Sequence, residues 1–148
     1  MPLSYAAVLI RLAAAVGVGA LIGLDRELRQ KPAGIRTLAL VALGSAVFVL
    51  ETVDATRNPY TDPTSRVIQG IITGVGFLGA GTIMRNAGDE SVRGLTTAAS
   101  IWLAAAMGIG CGLANWPLVV CGALLGLLVL MLTPVEQIIH NRRKTDPK

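Results

Sequence analysis

Five apolar stretches, at about residues 6–24, 36–53, 67–84, 97–114 and 117–133, take up most of this chain. Each is close to the roughly 20 helical residues needed to cross a hydrocarbon core about 30 Å thick. None carries the polar stripe of a water-facing amphipathic helix, so the helices of a soluble domain fit them poorly. They are too long for barrel strands and lack residue-by-residue alternation. Composition agrees: 53% of residues are hydrophobic and 15% charged, against about a quarter charged in soluble domains. The first stretch lacks the basic segment that precedes the apolar core of a secretory signal. The chain therefore reads as an all-α integral membrane protein. It is a compact bundle of five transmembrane helices over residues 1–134, followed by a short basic tail at 135–148.

The connectors have turn chemistry. "KPAG" at 31–34 supplies a helix stop and a glycine, "NPYTDP" at 58–63 offers Asp62 as an N-cap before Pro63, and "NWP" at 115–117 makes a tight hairpin. Basic residues alternate between loops. Arg26, Arg29, Lys31 and Arg36 occupy the first, Arg85 and Arg93 the third, and Arg142, Arg143, Lys144 and Lys148 the tail. The second loop holds Arg57 and Arg66, and the fourth none. Cytoplasmic loops carry the Lys/Arg excess, which predicts the N-terminus outside and the C-terminus inside. The net charge of +4 thus reads as a topology signal, and no nucleic-acid partner is expected.

"GVGFLG" at 74–79 has the glycine spacing of a dinucleotide loop. Such a loop follows a strand and opens a helix in water, whereas here the glycines lie inside an apolar span. Small-residue pairs four apart recur along the chain: Gly19 with Gly23, Gly70 with Gly74, Gly108 with Gly112, Gly122 with Gly126, and Ala42 with Ala46. Small residues at this spacing let helix backbones approach closely. Gly70, Gly74, Gly76, Gly79 and Gly81 crowd the third span, which is therefore expected to lie centrally in the bundle. A kinked or unwound third helix is the alternative use of these glycines.

Two groups of charges stand near membrane depth. Arg11 lies inside the first span, and an ionisable group there calls for a partner. The hairpin mirrors its depth onto the neighbourhood of Glu51, predicting an intramembrane Arg11–Glu51 pair with Asp54 as a third member. Snorkelling of Arg11 and capping by Glu51 is the plainer reading. At the opposite face, Asp25, Arg26, Glu27, Arg36, Thr37, Arg93, Thr96 and Thr97 gather into a polar cluster, with Arg85, Asp89 and Glu90 in the same loops. It serves either as helix caps and topology determinants or as a site for a partner or small ion. Each carboxylate has arginines nearby, and no dedicated cation cage is visible. Cys111 and Cys121 form no metal motif. With one histidine, no Walker motif and no nucleophile–base pair, no enzyme chemistry, cofactor or metal site is expected.

"RL" at the first span, "GLDRE…KPAGIRT", "GVGFLGAGTIMR" and "VRGLTTAASIWLAAAMGIGCGLA" together resemble the MgtC/SapB family of bacterial inner-membrane proteins, from about Arg11 to Leu132. Members generally have Glu at the position of Asp25. Many carry a C-terminal ACT-like module, and this sequence matches the transmembrane part alone. The resemblance implies a multi-pass inner-membrane location, a role in growth under magnesium limitation and, in pathogens, survival inside macrophages. It implies modulation of other membrane proteins, including the ATP synthase; a magnesium or other cation transporter, or a subunit of one, is the alternative. It also singles out Arg11, Asp25, Arg26, Glu27, Arg36, Thr37, Arg93, Gly94, Thr96 and Thr97. Expected partners are the lipid bilayer, other inner-membrane proteins and, through unused glycine stripes, a second copy of the chain.

Overall fold

The computed structural model describes residues 3–56, 62–85 and 92–132. Helix α1 (Tyr5–Leu28) is followed by α2 (Ile35–Thr56) and α3 (Asp62–Thr82). A two-residue antiparallel ladder, β1 (Met84–Arg85) with β2 (Val92–Arg93), then leads into α4 (Leu95–Gly112) and α5 (Trp116–Met131). The fold is an all-α membrane bundle. Helices α1, α2 and α4 are long and apolar enough to cross a bilayer, and α5 is a shorter apolar helix. The five expected spans map onto the five helices, but the third ends at Thr82, and Met84 enters the ladder instead. The tail at 135–148, with Asp89 and Glu90, lies outside the described residues.

The centre of the bundle is α4. It packs against each of the other helices, and ten of its eighteen residues are buried. This corrects the expectation that the third span is central: α3 packs mainly on α4 and more lightly on α2. The glycine environments give the reason. A Cβ on Gly108 would stand 2.1 Å from the Ala42 carbonyl oxygen, and one on Gly112 would stand 2.9 Å from Val49. On α1, a Cβ at Gly19 would meet the Leu38 carbonyl at 2.5 Å, and one at Gly23 the Ile35 backbone at 2.6 Å. So α2 is held backbone to backbone between α1 and α4, with Ala42 and Ala46 fully buried in that seam. Gly122 and Gly126 of α5 lie against Met107 and Leu103 of α4.

On α3 the outcome differs. Gly79 touches Ala98, while a Cβ on Gly70, Gly74, Gly76 or Gly81 would meet nothing within 4 Å. The packing role expected for those four glycines is therefore not fulfilled within the chain. Neither is α3 unwound: it is an α-helix throughout Asp62–Thr82.

Two helix ends close with the same device. At the end of α1, Gln30 adopts φ 53°, with hydrogen bonds from Gln30 N to Glu27 O and from Lys31 N to Arg26 O. At the end of α4, Ala114 adopts φ 56°, and the bonds run from Ala114 N to Cys111 O and from Asn115 N to Gly110 O. Both are Schellman closures with a residue other than glycine in the left-handed position. Asn115 then caps α5, its side-chain oxygen accepting from Leu118 N. Gly94 precedes α4 at φ 93°, and a Cβ there would stand 1.9 Å from the Thr82 carbonyl oxygen, so the α3–α4 return admits only glycine.

Large apolar side chains cover the outside. Leu9, Phe48, Phe77, Leu124, Leu125 and Leu128 are all more than half exposed, an arrangement that lipid, not water, solvates. The packing predicts an asymmetry between glycines. Gly108→Ala forces α2 and α4 apart and should cost about 1–3 kcal/mol, the range for overpacked interiors. Gly76→Ala meets open space and should be neutral or slightly stabilising, since alanine is the better helix former. Thermal unfolding of the two variants in detergent separates them.

Candidate functional site

Two arginines on α1 reach across to α4. Near the start of α1, Arg11 Nη1 donates to the Gly112 carbonyl oxygen at 2.9 Å. The carbonyls of Ile109, Gly110 and Cys111 already accept from the turn that follows α4, so Arg11 fills a place that helix ends leave open. A cation there also complements the negative end of the helix dipole. Near the end of α1, Arg26 Nη2 donates to the Thr97 hydroxyl, in the first turn of α4. Both residues are buried, Arg26 to within 4% of full burial and Thr97 to within 2%. The two bridges share one antiparallel register. Fifteen residues separate the arginines along α1 and fifteen separate Thr97 from Gly112 along α4, about 22 Å of helix in each case.

Around Arg26 the chain builds a polar knot. Asp25 Oδ1 accepts from Arg29 Nε at 2.9 Å, an i,i+4 pair with side chains 16% and 32% exposed. Glu27 extends past the end of α1, and its Oε2 accepts from Ile35 N at 3.0 Å. A carboxylate is thus placed on the positive end of α2. The same oxygen would stand 1.9 Å from a Cβ on Gly34, so the glycine of "KPAGIRT" makes room for the Glu27 cap. Asp25 Oδ2 and Arg26 Nε are buried and make no hydrogen bond. They are the two unspent polar atoms of the site.

Of the cluster expected from sequence, the structure joins Asp25, Arg26, Glu27 and Thr97 to partners within one end of the bundle. Arg36, Thr37, Arg93 and Thr96 are exposed at that end. The Arg11–Glu51 pair does not form. Glu51 is exposed, beside a small cavity lined by Leu3, Val8 and Leu50, and among the described residues the sole ion pair is Arg29–Asp25. Depth matching placed Arg11 at the right level but could not tell which neighbouring helix its side chain faces. The Asp54 side chain lies outside the described residues. Sequence reasoning missed Arg29 as the Asp25 partner, although the i,i+4 spacing signals it. It also missed the Gly112 carbonyl, a backbone group that no side-chain pattern reveals. Among the described residues no three His, Cys, Asp or Glu side chains converge as a metal site would require. Cys111 is buried and Cys121 exposed, both as free thiols.

The chain matches the MgtC family model over residues 12–138. It is 47% identical over 131 residues to protein SrpB of Synechococcus elongatus, which covers 81% of this chain and 71% of SrpB. It is 48% identical over 108 residues to protein MgtC of Salmonella typhimurium, covering 73% of this chain but 44% of that relative. An uncharacterized protein of Haemophilus influenzae is 37% identical over 142 residues, with 59% of its length covered. The chain thus spans less than half the length of MgtC. No solved structure matches it.

Two sets of variants check the site. Thr97→Val strands a buried guanidinium N–H and should cost about 1–3 kcal/mol, whereas Thr97→Ser should retain most of the stability. Thr97→Val combined with Arg26→Met should be milder than the sum of the two single losses. Arg11→Met should cost about 1.5–3 kcal/mol, the worth of a hydrogen bond to a charged group. Glu51→Gln should stay within about 0.5 kcal/mol, and its effect should add to that of Arg11→Met without coupling. Unfolding midpoints in detergent report all of these.

Proposed function

Because the chain belongs to the MgtC family, we propose that it is a multi-pass protein of the bacterial inner membrane and a non-enzymatic regulator of other membrane proteins. The rotary ATP synthase and ion-homeostasis systems are the target class that the family resemblance points to, in adaptation to low magnesium and, in pathogens, to the macrophage interior. One observation carries the choice of regulator over transporter. The two arginines that bridge α1 to α4 each donate to one acceptor on α4, the Gly112 carbonyl and the Thr97 hydroxyl, and between these bridges lies an apolar core that includes Ile22, Leu38, Val49 and Ala104. A conduction route needs free polar groups or a water-filled lining at mid-membrane, whereas the buried hydroxyls of Ser45 and Ser100 donate to carbonyls of their own helices, and packed apolar side chains surround them.

A regulator needs surfaces that a membrane partner can approach. The outward side of α3 presents Gly76, Phe77 and Ala80, and α5 presents Leu124, Leu125 and Leu128, all of them exposed. Arg93 and Thr96 add exposed polar groups at the end that carries the arginine knot. The transport reading has one supporting observation, the buried unpartnered Oδ2 of Asp25, which stands near the end of α1 as a gate residue would.

Reconstitution into liposomes with a divalent-cation indicator inside decides between the two readings. The regulatory reading expects no flux above protein-free vesicles, together with co-purification of a defined inner-membrane protein that is lost on substituting Arg93 and Thr96 together. Robust magnesium flux abolished by Asp25→Asn overturns it in favour of transport.

A further inference from the structure

Helices α2 and α3 are antiparallel neighbours that meet closely at only one end, where Thr64 Oγ1 donates to Thr52 Oγ1 at 3.0 Å. Towards the other end they part, leaving an apolar groove of about 640 Å³, within the roughly 300–1,000 Å³ of small-molecule sites. Leu40, Gly44 and Phe48 line it from α2, and Gly70, Gly74 and Leu78 line it from α3. A Cβ on any of the three glycines would meet nothing within 4 Å, so the glycines deepen the groove and do not close it. Its one polar side chain, Ser45, has its hydroxyl committed to the Val41 carbonyl at 2.8 Å.

Length and charge say what fits. From Leu40 to Phe48 the α2 wall runs about 12 Å, and from Val67 to Leu78 the α3 wall about 16 Å, at 1.5 Å per residue. That is about half of a 30 Å hydrocarbon core, the depth of one leaflet. A second helix is about 10–12 Å across with its side chains and would sit on such a groove, not in it. At the open end, one turn beyond Leu40, Thr37 continues the groove-facing row of Val41, Gly44 and Phe48, and Arg36 stands one turn from Leu40. Both are exposed, and among the described residues no carboxylate pairs with Arg36. Glu27, the carboxylate at this end of α2, is committed to Ile35 N.

We propose that the α2/α3 groove binds one acyl chain of an anionic phospholipid, whose phosphate is held at the groove mouth by Arg36 and the Thr37 hydroxyl. The chain lies along the glycine-deepened trough over the depth of one leaflet. The cation at the mouth selects anionic over zwitterionic headgroups. The site is independent of which membrane protein, if any, the chain regulates.

Native mass spectrometry of the full chain tests this, using delipidated protein with phosphatidylglycerol or phosphatidylcholine of identical acyl chains added back. The expected result is a single phosphatidylglycerol adduct retained about fivefold better than phosphatidylcholine, the worth of one arginine beside an anionic headgroup. Gly74→Leu fills the trough and should abolish the adduct of either lipid. Arg36→Gln should level the two lipids while keeping the adduct. Gly76→Leu, on the opposite side of α3, should bind as the parent does and confirms that a leucine on this helix is tolerated. Equal retention of the two lipids by the parent chain overturns the proposal, as does an undiminished adduct in Gly74→Leu. Disulfide cross-linking of Gly74→Cys between two copies in native membranes also overturns it, by assigning the groove to a second chain.

Discussion

The bundle depends on α2 lying backbone to backbone between α1 and α4. Gly108 sits under the Ala42 carbonyl and Gly19 under the Leu38 carbonyl, at separations that no side chain could enter. In lipid there is little hydrophobic gain in bringing one apolar helix to another, so close backbone approach and dispersion must supply the attraction. Helix–helix distance here is set by which residues lack a side chain. Once α1, α2 and α4 are drawn together, Arg11 and Arg26 come within reach of the two ends of α4. In a looser bundle neither bridge could form.

The glycines do two different jobs, and their environments separate them. Gly19 and Gly23 of α1 and the glycines of α4 and α5 are filled by neighbouring atoms, whereas Gly70, Gly74, Gly76 and Gly81 of α3 are open. Within the chain α3 is thus a helix with surplus capacity for close approach. Part of it faces the α2/α3 groove, where a flexible lipid chain fits, and part faces outward, where a partner helix could lie flat. The transport reading, with its gate at the inner carboxylates, also needs this helix unwound, yet α3 keeps its helical ladder from Asp62 to Thr82. The surplus glycines support contact more directly than conduction.

Much of this was legible from the chain. Helix count, the turns at 31–34 and 115–117 and the GxxxG pairs of α1, α4 and α5 follow from hydropathy and spacing, because lipid imposes length and small-residue rules on each helix separately. Rotation of a helix about its own axis is a different matter. In a uniformly apolar span no polar stripe marks the face that turns inward, and the glycine density of α3, which points to the centre, does not say whether those glycines face another helix or lipid. The same gap produced the Arg11–Glu51 pairing, since depth is a property of one helix and direction a property of the packed set. The Glu27 cap on α2 and the Gly94 turn follow from backbone geometry that the strings "GLDRE…KPAGIRT" and "VRGLTT" imply only once they are folded.

The two arginine bridges and the glycine seam constrain different coordinates. Glycine contacts fix the lateral distance between helices but tolerate sliding, because one small residue resembles the next along the seam. The arginines fix the axial position. Moving α1 by one residue along α4 shifts each donor by about 1.5 Å and turns it by about 100°, which breaks both bonds together and leaves two guanidinium groups without acceptors in a low-dielectric interior. Polar groups in a membrane interior are costly, and here they are placed where that cost enforces a unique register. A slab pinned in both coordinates is poorly suited to rocking about a central site, as alternating-access transport demands. Helix α3, bound most closely to α4 and only lightly to α2, is then the element through which a bound lipid or partner can act without disturbing the rest.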